Sequence, residues 1–252
     1  MLLAIDIGNS NISVGLFDQK RDLKFLSSID TDSRKTADQI SIDLMNIFSL
    51  YQYDLRDVSG AIFSSVVPPI NFMMAKALLG KPPMIVGPGV KTGLNIRMEI
   101  HNQLGADLVA GAVAALDKYP TPIIMIDMGT ATTIVAIDRS RAYIGGAIIP
   151  GVNLSYGALA AGTSLLPSIS ITAPKKVIAT NTVDSMRSGA VYGTAAMLDG
   201  MIERMEAELG EKCPVVAPGG LASSIIPYCR REIICDDDLL LKGLWILYKK
   251  NK

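Results

Sequence analysis

Two stretches of this chain place a carboxylate two residues before a glycine inside an apolar, β-branched run: Asp6-Ile7-Gly8 in MLLAIDIGNSNISVGLFD and Asp127-Met128-Gly129 in IIMIDMGTATTIVAID. The spacing suits phosphate. A glycine there lets the backbone turn and present N–H groups with no Cβ in the way of a ligand. The small polar side chains that follow, Asn9, Ser10 and Asn11 in one copy and Thr130, Thr132 and Thr133 in the other, add donors without bulk. An acid among donors aimed at an anion needs a reason to be there, and a hard divalent cation shared with phosphate oxygens supplies one. An ordinary hairpin whose aspartate caps the turn uses the same residues. Two copies with the acid in the same place favour a nucleotide site. A third acid, Asp107 in GADLVAGAVAALDKY, falls in the first turn of an Ala-rich helix, where the macrodipole favours any acid.

The elements that must position these acids follow from periodicity. Aligned on the acids, Asp6 meets Asp127, Gly8 meets Gly129, Asn9 meets Thr130 and Val14 meets Val135, and each copy reads as a β-hairpin with a tight polar turn. A third strand is expected over 22–31, a helix over 37–51, and a buried strand over 58–67 that runs into Ser64 and Ser65. Pro68 and Pro69 open the next helix, where a missing N–H costs little. A short strand is expected over 83–87, and 92–99 carries no clear pattern. The second half repeats the order, with a strand over 142–150, helices over 153–161 and 182–209, a strand at Val215-Val216-Ala217 and a closing helix over 238–250. Tyr119-Pro120-Thr121-Pro122 is the linker-like stretch, so domains are expected at 1–119 and 120–252. Strands first, then alternating helix and strand, twice over, imply an α/β protein of two similar halves.

The chain has 252 residues, enough for a substantial core, with 49% hydrophobic and 19% charged residues. Lys+Arg 24 against Asp+Glu 24 leaves no net field, which speaks against nucleic acid or an anionic membrane as partner. Cys213, Cys229 and Cys235 have no metal-ligand spacing and read as reduced thiols. Asp6 comes too early for a signal peptide and no apolar run reaches membrane-spanning length, so a soluble cytoplasmic protein is expected.

In order along the chain, these motifs resemble those of the type III pantothenate kinases, within the actin, hexokinase and Hsp70 superfamily. The match runs through Asp6-Ile7-Gly8-Asn9-Ser10, Lys91-Thr92-Gly93-Leu94, Gly105-Ala106-Asp107-Leu108, Asp127 to Thr133, Gly145 to Gly151, Asn181 to Gly189, Gly219-Gly220-Leu221 and Leu239 to Leu244. The resemblance implies duplicated ribonuclease H-like (actin-like ATPase) domains with an interdomain ATP cleft. It implies transfer of the ATP γ-phosphoryl to the primary hydroxyl of pantothenate, opening coenzyme A biosynthesis. The run Asp6, Ile7, Gly8, Asn9, Ser10, Asn11, Ile12 and Ser13 would hold the ATP phosphates, with Asp6 helping to place Mg2+. Asp127 would bind a monovalent cation (K+ or NH4+), and Thr130 would touch ATP. Asp107 would be the catalytic base, and Gly105, Ala106, Leu108 and Thr182 would meet the acceptor. Homodimers with the acceptor pocket at or near the interface are implied as well.

The departures cluster on the acceptor side. The family's G-A-D-R arginine is Leu108, its upstream tyrosine aligns with Met98, the proline of its N-P pair with His101, its asparagine with Gly111, and the residue before the glycine pair is Pro218. A guanidinium is a bidentate fork for a carboxylate and leucine is not, a difference of about tenfold to a hundredfold in affinity. Arg97 or His101 is a candidate replacement charge. Two other readings stand beside the first: a kinase for another small alcohol, and a nucleotide-binding regulatory paralogue without transfer.

Overall fold

The computed structural model describes residues 1–78, 80–99 and 104–252. The chain begins with β1 (Leu2–Ile7), β2 (Asn11–Phe17) and β3 (Leu23–Asp30), then α1 (Ala37–Leu50), β4 (Gly60–Ser65), α2 (Pro68–Ala77), β5 (Met84–Ile85), β6 (Asn95–Ile96) and α3 (Ala106–Lys118). It continues with β7 (Ile123–Met128), β8 (Ala131–Ile137), β9 (Ala142–Pro150), α4 (Val152–Ala161), α5 (Thr182–Ser188), α6 (Thr194–Leu209), β10 (Val215–Ala217), α7 (Ala222–Ile225), β11 (Ile234–Cys235) and α8 (Leu239–Asn251). Among the described residues no helix is long and apolar enough to cross a membrane.

Two compact units form. The first comprises Met1–Leu94, Ile100–Asp117 and Asp238–Lys252; the second comprises Asn95–Glu99 and Lys118–Asp237. The closing helix, which sequence order assigns to the second half, packs within the first unit. The stretch 92–99, which shows no pattern in sequence, supplies β6 to the edge of the second unit's sheet, beside β9.

In the first unit the sheet order is β3-β2-β1-β4-β5. Successive side chains of β1 point to opposite faces, and both faces are covered, which is why the strand reads as a continuous apolar run. Leu3, Ile5 and Ile7 pack with Leu44 and Phe48 of α1 and Ile70 and Met74 of α2. Leu2, Ala4 and Ile62 pack with Val109, Ala110 and Val113 of α3 and Leu241, Leu244 and Leu247 of α8. Thr36 and Gln39 close a reciprocal capping box at the start of α1.

In the second unit the order is β11-β10-β7-β8-β9-β6, the same plan with β6 added. Ile124, Ile126 and Ile134 pack against α6 and α7 through Leu198, Ile202, Ala222 and Ile225. The predicted single helix over 182–209 is continuous but contains a wide π turn, Gly189–Gly193, between α5 and α6.

The duplication reaches into local detail. Each three-stranded meander has a bulge at the same place, between Leu16 and Phe17 and between Ala136 and Ile137. β2 and β8 are each followed by an aspartate whose backbone N–H is donated four residues on, Asp18 to Asp22 O (3.1 Å) and Asp138 to Ala142 O (2.9 Å). The copies differ at the turn. Ile7 pairs with Ile12, but Met128 pairs with Thr132, so the second loop is one residue shorter. Beyond the turn Val14 therefore corresponds to Ile134, which corrects the ungapped alignment with Val135. A one-residue difference in loop length moves every following side chain in register.

Candidate active site

Asp6 is the penultimate residue of β1 and projects on the face of Leu2 and Ala4, the face that α3 covers. It lies between two serines in register, Ser13 on β2 and Ser64 on β4. Ser64 Oγ donates to Asp6 Oδ1 at 2.6 Å. Sequence reading noted Ser64 only as the end of a strand; its role comes from parallel pairing across 58 residues, which local pattern does not carry.

The turn beyond Asp6 is braced from the third strand. Gly8 N–H is donated to Asn11 O at 2.9 Å, Thr31 N–H to Ser10 O at 2.9 Å, and Thr31 Oγ1 to Gly8 O at 2.7 Å. Asn9, Ser10 and Asn11 stand exposed around this fixed backbone, while Ile7 and Ile12 are buried beneath it. A Cβ on Gly8 would come within 3.1 Å of Asn11 O, so any larger residue would press on the turn.

Asp107 stands in the first turn of α3, three residues before Ala110, which packs on the Asp6 face of the sheet. Its Oδ1 accepts the Leu108 N–H at 2.8 Å, and its carboxyl folds against Gly105, where a Cβ would displace it. A methyl on Gly105 would rest 3.9 Å from Val66 Cγ1, and Val66 donates its N–H to Ile7 O at 3.0 Å. Asp6, Ser64 and Asp107 are thus gathered at one end and on one face of the first unit's sheet. Burial pushes the Asp107 carboxyl above the usual aspartate range, partly offset by the Leu108 N–H. Leu108 beside it is half-buried and offers no hydrogen bond from its side chain.

In the second unit Asp127 lies opposite Thr133, whose Oγ1 is buried with no hydrogen-bond partner. The shorter turn carries Thr130, with Gly129 N–H donated to Ala131 O at 2.9 Å. Thr132 projects on the opposite face from Asp127 and is 1% exposed, so it is no donor to the Asp127 side. Gly151 closes over this turn: it donates its N–H to Thr130 O at 2.9 Å, and a Cβ on it would overlap the carbonyls of Gly129 and Thr130. Gly151→Ala should therefore cost about 1–3 kcal/mol of stability and weaken whatever the turn binds. Chemical denaturation, together with cation titration of activity, checks this.

Thr182 is the exposed first residue of α5, which Asn181 caps by accepting the Asp184 N–H at 2.9 Å. Arg97, the candidate replacement charge, belongs to the second unit. It pairs with Asp138 at 3.5 Å, at the far end of β8 from the turn. Met98 is half-buried in the second unit, and Gly111 is buried in α3. His101 lies outside the described residues.

These donor sets fit a hard cation and phosphate. Each turn offers one carboxylate flanked by hydroxyls (Ser13 and Ser64, or the orphaned Thr133) and exposed loop backbone, where Mg2+ characteristically takes one or two carboxylates and completes its shell with phosphate and water. Two sheets of one plan, each with an acid at its hairpin turn, define the duplicated α/β fold of the actin, hexokinase and Hsp70 superfamily of ATP-using proteins. Component A of the (R)-2-hydroxyglutaryl-CoA dehydratase of Acidaminococcus fermentans has this fold, with a TM-score of 0.59, 14% identity and coverage of 99% of this chain and 98% of that one.

The chain belongs to the type III pantothenate kinase family, whose profile matches residues 2–204. It is 41% identical over 254 residues to the type III pantothenate kinase of Halalkalibacterium halodurans and 40% identical over 258 residues to that of Moorella thermoacetica, with 100% of both chains covered in each case.

Proposed function

We propose that this chain transfers the γ-phosphoryl group of ATP to the primary hydroxyl of pantothenate, forming 4'-phosphopantothenate and ADP at the entry to coenzyme A biosynthesis. The observation that carries the reading is the convergence of Asp6, Ser64 and a desolvated Asp107 at one end of one sheet face. The backbone and side chains from Asp6 to Ser13 hold the phosphates, and Thr130 contributes from the second turn. Asp6 helps to hold Mg2+, and Asp127, with the unpartnered Thr133 hydroxyl opposite it, holds K+ or NH4+. Bound metal would neutralise charge on the phosphates. Asp107 aligns the acceptor hydroxyl and takes its proton as the new P–O bond forms. Gly105, Ala106 and Leu108 line the approach to that hydroxyl, and Thr182 contacts the acceptor.

The active form is a homodimer. Helix α4 is apolar on most of its surface, yet only Val152 of its ten residues is buried. Leu154 and Leu159 of α4 are 53% and 40% exposed, and Leu165 and Ile178, in the long irregular stretch before α5, are 89% and 85% exposed. Exposed apolar side chains gathered in one segment of chain support an interface there, and that segment leads into Thr182. Leu154→Asp should raise the dimer dissociation constant at least about a hundredfold, because a two-fold interface loses two leucine burials of about 1.5–3 kcal/mol each. Analytical ultracentrifugation reads it, and an unchanged dimer would contradict the assignment of this face.

An ADP-release assay with Mg·ATP, K+ and a series of acceptors tests the reaction. Turnover with pantothenate that follows K+ supports it. Turnover only with alcohols lacking a carboxylate would move the acceptor class, as the half-buried Leu108 permits, and nucleotide binding without any turnover would overturn the kinase reading.

A further inference from the structure

Because both sheets follow one plan, a position in one has its control in the other. Ile12 and Thr132 are such a pair: each faces the last residue of its hairpin's first strand, Ile7 or Met128. Ile12 fills the first unit's core. Thr132 is as deeply buried, yet a cavity of about 190 Å³ opens beside it. Its other walls come from Val152, Ser155 and Tyr156 of α4 and from Gly193, Thr194 and Met197, where the π turn passes into α6. Where the first unit has a buried isoleucine, the second has a buried threonine beside open space, so the position is both roomier and more polar.

The lining has a definite chemistry. Four hydroxyl-bearing residues line it, Thr132, Ser155, Tyr156 and Thr194, and none makes a side-chain hydrogen bond among the described residues. Tyr156 Oη lies so close to Gly189 that a Cβ there would come within 2.5 Å of it. Burial also holds the Tyr156 phenol protonated, by raising its pKa. Val152 and Met197 make one wall apolar. No charged side chain lines the cavity, so an ion entering it would shed water with no counter-charge to meet it. π turns occur frequently at functional sites.

We propose that this cavity is a binding site for a small uncharged alcohol or diol, with its hydroxyl end on Thr132, Tyr156 and Thr194 and its carbon chain against Val152 and Met197. The site is separate from Asp127, which projects from the other face of the same sheet. It stands whether or not the proposed reaction does. A bound molecule would bear on β8 directly behind the Gly129–Ala131 turn and on the first turn of α4, where Gly151 closes over that turn.

Calorimetric titration of the intact protein with pentane-1,2-diol, and separately with pentanoate, tests the proposal. The diol should saturate one site per chain with a Kd on the order of millimolar, the range that so few atoms can reach, and pentanoate should show no saturable binding there. Gly193→Leu places a side chain where no atom lies within 4 Å of a new Cβ, at a helical φ of −64°. It should abolish diol binding and raise Tm. Tyr156→Phe, a milder change that keeps the proposal testable should the first variant fail to fold, should weaken the diol several-fold. A titration without saturation means a water-filled cavity and overturns the proposal. Equal binding by both variants, or equal binding of pentanoate, overturns it too.

Discussion

Asp107→Asn is expected to lower kcat by about 10²–10⁴-fold, the usual contribution of a positioned general base, while leaving the protein at least as stable at neutral pH. Both halves follow from the same burial. The carboxyl sits in the first turn of α3, folded against Gly105, and its desolvation raises its pKa. A carboxyl whose folded pKa lies above its unfolded value favours the folded state at pH below the unfolded pKa, and that contribution is lost as pH rises through the folded one. At neutral pH the ionised form is therefore a net cost, which asparagine removes. The variant's Tm should equal or exceed that of the parent near neutrality, and the two should converge in acid, where both side chains are uncharged. In the parent, the acid limb of kcat should lie above the usual aspartate range, because the base must be ionised to accept the hydroxyl proton. Inactivation with a matching fall in Tm would instead assign Asp107 a structural role.

Asp6→Asn is expected to lower kcat/KM for Mg·ATP by about 10²–10³-fold, comparable to removing a preorganised charge-stabilising group from an active site. Asparagine keeps the Oδ1 that accepts from Ser64, so the fold around β1 and β4 survives while the charge is lost. If Asp6 helps to hold Mg2+ as proposed, the size of the effect should depend on Mg2+ concentration. Ser64→Ala provides the graded comparison. It leaves the carboxylate in place but frees one oxygen from its 2.6 Å hydrogen bond, and should raise the KM for Mg·ATP about tenfold, in proportion to a lost charge-assisted bond. Steady-state kinetics at two Mg2+ concentrations check both. An Asp6→Asn protein with normal Mg·ATP kinetics would remove the metal role from this residue.

The three carboxylates were legible in sequence because each is fixed by short-range pattern: an acid two residues before a glycine at a hairpin turn, or an acid opening an Ala-rich helix. Hairpins, the meander and the helix opening at Pro68 were legible for the same reason, since alternation and turn chemistry act over a few residues. Features that depend on distant partners were not. Ser64 acquires its meaning only when β4 pairs with β1, and Asn95–Ile96 becomes a strand only because β9 offers a free edge. The closing helix joins the first unit because Gly243 lets it lie against the Ala110 carbonyl of α3, a contact between residues 133 positions apart that composition cannot announce. The grouping of Thr132 with Thr130 and Thr133 failed on parity. Side chains alternate across a strand, and the shorter second turn decides which threonine shares a face with Asp127.

Pantothenate as acceptor and Asp107 as its base meet in one measurement: mass spectrometry of pantothenate incubated with ATP, Mg2+, K+ and either the parent protein or Asp107→Asn. The account predicts that the parent adds a single phosphoryl group and that the variant adds almost none over the same interval. Pantothenate left unmodified by the parent, or modified equally well by the variant, would contradict it.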